Sequence, residues 1–195
     1  DIEARSGKSA EYWPCGMRIQ GIDDADDALA WCRSHGLAAR SEDEHDLYLP
    51  EIAQIRNPRL VTALREAILA LGGVLHPQCM VRATLADAGH IAGFETSRGT
   101  FRADRIVLAT GAWAGMALDG IAPMRRIRPI RGQMLLFKLE PGALETILYR
   151  RGLYVIPRLD GHILVGSTVE DVGFDKSTDA ATASRLHAEA AALLP

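Results

Sequence analysis

The sequence has no Cys-x-x-Cys pair, no apolar run long enough to span a bilayer, no large excess of either charge and no Gly-x-Gly-x-x-Gly loop. Each absence excludes something. Cys15, Cys32 and Cys79 are few, odd in number and far apart, so a disulfide framework is excluded and free buried thiols are expected. Such thiols belong in a reducing compartment, which points to the cytoplasm. His76-Pro77-Gln78-Cys79 offers half a metal site at most, with no second pair to complete a tetrahedron. A formal charge of −3 gives no electrostatic case for nucleic acid or an anionic membrane. Without a spanning run no membrane insertion is expected. Without the glycine-rich loop the usual seat for a dinucleotide pyrophosphate at a helix N-terminus is missing. No Ser-His-Asp or Cys-His motif supplies a protein nucleophile, and no internal repeat is present.

What remains is ordinary for a folded protein. The 195 residues are 48% hydrophobic and 24% charged, enough for a real core in one or two domains. The most informative stretch runs from Arg105 to Gly115. Ile106-Val107-Leu108-Ala109 reads as a strand buried on both faces, as in a parallel sheet. Thr110-Gly111 then stops it, and small residues begin a helix. Open α/β sheets bind ligands at such strand ends, where glycine lets backbone approach closely.

Along the chain, residues 1–10 are polar and read as frayed. Glu11 to Gln20 reads as strand, break, strand. Asp23 or Asp24 caps a helix through Leu29, Trp31 and Cys32, with Asp26 and Asp27 in its first turn and Gly36 as its stop. Ser41 to Asp46 is an acidic linker. Asn57 is a helix cap with Pro58 at the first helical position, and Leu60, Leu64, Ala67, Ile68 and Leu71 form a core-facing stripe ending at Gly72-Gly73. No role is forced on Arg56 beyond an ion pair. Val74 to His76 is a short strand. Strands over Met80–Leu85, His90–Glu95 and Gly99–Arg102 make a meander. After Trp113 a short helix runs to Ala117, ended by Gly120. Arg125, Arg126, Arg128 and Arg131 alternate with Ile127 and Ile130, as charges on the outer face of a strand do. Asp160-Gly161 turns a hairpin between Tyr154 and Thr168. Thr178 or Asp179 caps a last helix carrying Ala183, Leu186, Ala190 and Leu193, with His187 at its surface.

Four stretches resemble FAD-dependent amine oxidases of the D-amino acid oxidase family, most of all glycine oxidase of the ThiO type. They are Leu108 to Ala114, Leu47 to Leu60, Arg128 to Gln133 leading into an apolar strand, and Tyr154 to Thr168 continued by Val169 to Asp175. The resemblance implies a mixed α/β fold. An incomplete Rossmann-like FAD-binding layer over 47–122 would join a mixed-sheet substrate domain over 1–46 and 123–195. It implies FAD contacts at Ala109, Thr110, Gly111, Ala112 and Trp113, and at Val81 through its backbone. It places Tyr154 at the substrate carboxylate as the positioning residue of the catalytic site, and Val169 in the substrate pocket. Gly152 stands where the family often has histidine.

The implied reaction is oxidation of glycine or a small D-amino acid. Hydride passes to FAD, an imine forms, and reoxidation by oxygen gives hydrogen peroxide, as in thiamine thiazole synthesis. A related dehydrogenase with a quinone acceptor and a catalytically silent binding module remain alternatives. The resemblance also implies an internal portion of a longer enzyme, one that by itself binds FAD weakly and turns nothing over. The flavin-side layer would then expose an apolar edge that favours a homo-oligomer.

Overall fold

Short β-branched and aromatic runs separated by Gly-containing turns build the larger part of this molecule around one mixed sheet. The computed structural model describes residues 1–116, 121 and 127–194. The chain divides into two compact units: Asp1–Gly73, Gly132–Val169 and Ser177–Pro195 form the larger, and Val74–Arg131 with Glu170–Lys176 the smaller. Residues 47–73, expected on the flavin side, thus lie in the larger unit. The helix expected after Trp113 extends to Ala117–Gly120, and these residues, like Arg125 and Arg126, fall outside the described residues. Among the described residues no helix is long and apolar enough to cross a membrane.

The larger unit holds strands β1 (Met17–Gln20), β2 (Arg40–Ser41), β3 (Leu47–Leu49), β7 (Met134–Lys138), β8 (Ile147–Arg150), β9 (Leu153–Pro157) and β10 (His162–Gly166), in the order β2-β3-β1-β8-β9-β10-β7. Only β1 and β8 pair in parallel; the other pairs are antiparallel. Two helices cover opposite faces at opposite ends. Helix α2 (Ala25–Ser34) sits with Ala25 and Leu29 on Leu47 and Leu49. Its cap is Asp24, whose carboxylate accepts from the N–H groups of Asp26 and Asp27, and Gly36 follows at φ +68°. Helix α4 (Ala180–Ala191), capped by Asp179, buries Leu186 and Ala190 against Leu148, Leu153, Val155, Ile163 and Val165. Both helices follow the expected pattern of cap and apolar spacing.

Other parts differ from expectation, each for a local reason. Residues Ile2–Ser6 form helix α1, because Asp1 accepts from the N–H groups of Glu3 and Ala4 and Gly7 turns left-handed to end it. The acidic linker is the loop of the β2–β3 hairpin, closed by the Glu42 N–H donating to the Asp46 carbonyl. Helix α3 (Asn57–Ala70) starts one residue earlier than expected, with Arg56 at the cap and no side-chain cap bond. The α3 stripe is not core. Only Ala63 and Ala67 are buried, where α3 meets α1, while Leu64 and Ile68 are exposed and Leu71 is 65% exposed. Helical spacing fixes which residues share a face; it does not supply a surface to cover that face.

Arg56 carries more than was expected of it. Its Nη1 lies 3.2 Å from Glu11 Oε2 and 2.8 Å from Asp160 Oδ2, so it ties the amino-terminal segment and α3 to the β9–β10 turn. Its guanidinium holds the Asp160 carboxyl well below the usual carboxylate range; burial opposes this, and hydrogen bonds from His162 add to it. A depressed folded value stabilises the native state above the ordinary Asp pKa of about 3.9, and that contribution fades as pH falls towards the folded value. Arg56→Met should therefore cost about 1–2 kcal/mol at neutral pH, a half-exposed ion pair being worth less than a buried one. Urea unfolding checks this: the gap to wild type should narrow at pH 3, and an equal gap at both pH values would refute the pairing.

The smaller unit contains an antiparallel meander of β4 (Val81–Asp87), β5 (His90–Thr96) and β6 (Gly99–Arg102), as expected. Val74–His76 and Arg105–Ala109, both expected as strands, are not strands. Val107 is 88% exposed. β-branched composition gives a segment the capacity to pair, but a buried parallel strand needs hydrogen-bonded neighbours on both sides. Among the described residues neither run has one. The arginine-rich segment is likewise irregular over 127–130, and the strand begins only at Met134.

Candidate functional site

Gly111 opens a 3-10 helix over Gly111–Gly115, with Thr110 before it. Gly111 has φ +53°, and a Cβ built there would meet nothing within 4 Å. Residues Ala109, Thr110 and Gly111 are exposed, and the first N–H groups of a helix have no intrahelical acceptor. This is an accessible backbone turn with room beside it, the local form a nucleotide-contacting loop needs. The indole of Trp113 is held by Phe174, with ring centroids 5.5 Å apart and planes 26° from parallel.

Phe174 belongs to a segment that returns to the same unit. Arg131 pairs with Glu170 in a two-way backbone bridge, each N–H···O 2.9 Å. The Arg131 guanidinium also reaches Glu170 Oε2, and its Nη1 lies 2.8 Å from Asp175 Oδ2. Hydrogen bonding to Glu170 raises the Arg131 pKa above its already high value, so the charge is permanent. Arg128 pairs with Asp171 at 3.1 Å. Two of the expected outer-face arginines thus fasten the Glu170–Asp175 segment beneath Trp113. Neither the spacing nor the composition of these residues assigns them that task. The only available signal was the alternation of acids at 170, 171 and 175 with arginines at 128 and 131.

Val81 begins β4, an edge strand of the meander, beside a register shift between Val81 and Ala83. One side of its backbone is therefore unpaired within that sheet. Its side chain is half-exposed.

Tyr154 lies in the larger unit, on the sheet face away from α4. Its neighbours in register are Tyr149 on β8 and Gly166 on β10, and Gly166 in turn faces Met134 on β7. The Tyr154 hydroxyl donates to Met134 Sδ at 3.4 Å, passing over Gly166. A Cβ at Gly166 would lie 2.7 Å from Met134 Cγ and 3.2 Å from Tyr154 Oη, so only glycine allows this contact. Met134 and Leu136, on the same face, are 51% and 62% exposed. Val169 is 82% exposed and lines a cavity of about 550 Å³ with Gly152, Leu153, Ser167 and Leu186. Tyr154 does not line it. Strand alternation turns Leu153 towards α4 and Tyr154 the opposite way, so the structure does not bring the two expected substrate residues to one wall.

Gln133, 6% exposed, anchors the strand that carries Met134. Its N–H donates to Thr168 Oγ1 at 2.8 Å, its Nε2 to Asp179 Oδ2 at 2.9 Å, and its Oε1 accepts from the Asp179 N–H at 3.1 Å. The cap of α4 and the start of β7 are thereby one hydrogen-bonded unit. Among the described residues no group of His, Cys, Asp and Glu could hold a metal ion, and the three cysteines are free.

Glycine oxidase of Pseudomonas putida is 36% identical over 208 residues, covering 98% of this chain and 57% of its own length. The bifunctional protein ThiO/ThiG of Nostoc sp. is 31% identical over 89% of this chain and 29% of its own length. The solved glycine oxidase of Geobacillus kaustophilus superposes with a TM-score of 0.85 at 22% identity, covering 100% of this chain and 58% of its own. This chain thus spans a little over half the length of the Pseudomonas glycine oxidases it matches. The match to the family described as FAD dependent oxidoreductase runs over residues 8–195, taking in the Thr110–Gly111 turn, the Arg131 anchor and the Tyr154 strand alike. The chain belongs to that family.

Proposed function

We propose that the protein carrying this chain oxidises glycine or another small amino acid with FAD, in the role that ThiO-type enzymes serve in thiamine thiazole synthesis. The observation that carries this reading is the Tyr154 hydroxyl. It sits on the sheet face opposite α4, at the β7 end of the sheet and away from α2, bonded to a thioether, which is a weak acceptor. A substrate carboxylate is a far better acceptor and displaces the sulfur at little cost. Tyr154 then orients the amino acid, while Val169, on the α4 side with Leu153 and Leu186, takes no part in that contact. Ala109, Thr110, Gly111, Ala112, Trp113 and Val81 hold the dinucleotide, the glycine by letting its backbone approach and the tryptophan through the ring that Phe174 steadies. Bound FAD supplies the acceptor for the electron pair and hydrogen leaving the substrate α-carbon. In this reading 47–122 serve the flavin, and 1–46 and 123–195 serve the substrate.

The test is peroxide formation by the flavin-loaded protein with glycine, sarcosine and D-alanine. Peroxide with at least one of them is the expected result; flavin reduction without peroxide would favour a dehydrogenase with another acceptor. Loss of the hydroxyl in Tyr154→Phe should raise KM about tenfold with a smaller change in kcat, as removal of one charge-assisted hydrogen bond does. An unchanged KM would remove Tyr154 from the site.

A further inference from the structure

A second cavity lies away from Tyr154 and Val169, on the larger unit, and the proposed reaction makes no use of it. It measures about 750 Å³ and is lined by Trp13, Cys15, Tyr48, Thr146 and three arginines, Arg18, Arg40 and Arg158. On a chain of net charge −3, three guanidiniums around one hollow are a local reversal of sign. Glu145 is the one carboxylate among the lining residues.

The arginines arrive by register. Arg18 on β1 and Arg40 on β2 both stand opposite Tyr48 on β3, so all three share the face that α2 leaves free. Arg40 lies over the Tyr48 ring at 4.5 Å from its centroid and Arg18 at 5.9 Å. A guanidinium stacked this way keeps its N–H edge free for a ligand. Arg18 is paired with Glu42 at 3.3 Å, whereas Arg40 has no carboxylate partner among the described residues. Arg158 comes from the β9–β10 turn and donates to neutral acceptors, Gln54 Oε1 and the Ile55 carbonyl. Burial pushes its pKa below the usual value and Arg56 adds to the effect, against the opposing pull of Glu11 and Asp160. A cation without a carboxylate partner is costly to hold in a partly buried hollow, and an anion there would relieve that cost. The volume far exceeds what a bare ion needs and lies within the usual range of small-molecule sites. Trp13 and Tyr48 supply ring surface for the remainder.

We infer that this cavity binds a small aromatic oxyanion, a ring bearing a carboxylate or a phosphate, with Arg40 and Arg158 on the anion and Trp13 and Tyr48 beside the ring. Calorimetric titration and thermal shift with benzoate and phenyl phosphate test this. At least one should bind saturably at one site per chain, and which one identifies the oxyanion; inorganic phosphate alone should bind at least tenfold more weakly. Arg40→Gln and Arg158→Gln should each weaken binding about tenfold or more, the usual effect of losing a hydrogen bond to a charged group. Arg40 is exposed, so Arg40→Gln also separates binding from folding: its ligand-free Tm should stay at the wild-type value while affinity falls. Arg128→Gln, in the smaller unit, should leave binding unchanged. Absence of saturable binding by both compounds at millimolar concentration, or wild-type affinity in Arg40→Gln and Arg158→Gln, would overturn the assignment.

Discussion

Leu186→Ala should destabilise the protein by about 3 kcal/mol, the middle of the range for a buried leucine whose surroundings cannot collapse into the space left behind. Leu186 is 1% exposed and meets Val155 and Val165, both fully buried, and Ile163 at 2%. Three strands converge on it, and strands held in a ladder cannot shift to fill a void. Urea unfolding gives the value. Leu186→Met, which nearly conserves volume, should cost less than about 1.5 kcal/mol, and a similar loss in both variants would argue against a packing origin. The substitution also separates stability from substrate positioning. Tyr154 points away from α4, so flavin-loaded Leu186→Ala assayed well below its Tm should keep the wild-type KM.

That contrast between the two sheet faces was partly legible in the residues. Alternation in Leu153 to Pro157 and in His162 to Gly166 marks which side chains share a face, and the cap at Asp179 with Leu186 and Ala190 marks the helix that covers one of them. The α2 cap at Asp24 and the three-strand meander were equally plain, because each depends on neighbours within a few residues. Val74–His76 and Arg105–Ala109 have the composition of strands yet pair with nothing among the described residues, since pairing is a property of two segments and composition belongs to one. The exposed α3 stripe has the same origin: spacing declares a face, and only a partner buries it. Gly111 and Tyr154, which the proposed function uses, could be singled out from their stretches. Phe174 beneath Trp113, the grip of Arg131 on Glu170 and Asp175, and the arginine-lined hollow could not, because each joins residues more than twenty positions apart.

Gly161→Ala should be as damaging as the core substitution, about 3 kcal/mol or more, although it adds a single methyl group at a surface turn. Two costs combine. Gly161 has φ +83°, outside the narrow left-handed region that residues with a Cβ tolerate, and adopting such backbone costs about 1–2 kcal/mol. The added Cβ would also strike the Leu139 carbonyl oxygen and lie 3.0 Å from Pro141 nitrogen. Those are backbone atoms, and they are fixed: the Leu139 N–H donates to the Gly161 carbonyl at 2.9 Å, and Lys138 Nζ donates to the Asp160 carbonyl. The turn is closed by the Arg158 N–H on the His162 carbonyl and the Gly161 N–H on the Arg158 carbonyl. This is the three-residue hairpin with a left-handed glycine, rather than the two-residue form that Asp-Gly most often signals. Displacing Gly161 would move Asp160 off Arg56 and Arg158 off Gln54. The variant should therefore lose the pH-dependent part of the Arg56 contribution as well, and its stability should change less between pH 7 and pH 3 than that of wild type. Gly152→Ala in the β8–β9 turn is the control: its φ is +91°, but a Cβ there meets nothing within 4 Å. It should show only the backbone cost, and equal losses in the two variants would mean that the contact with Leu139 and Pro141 contributes nothing.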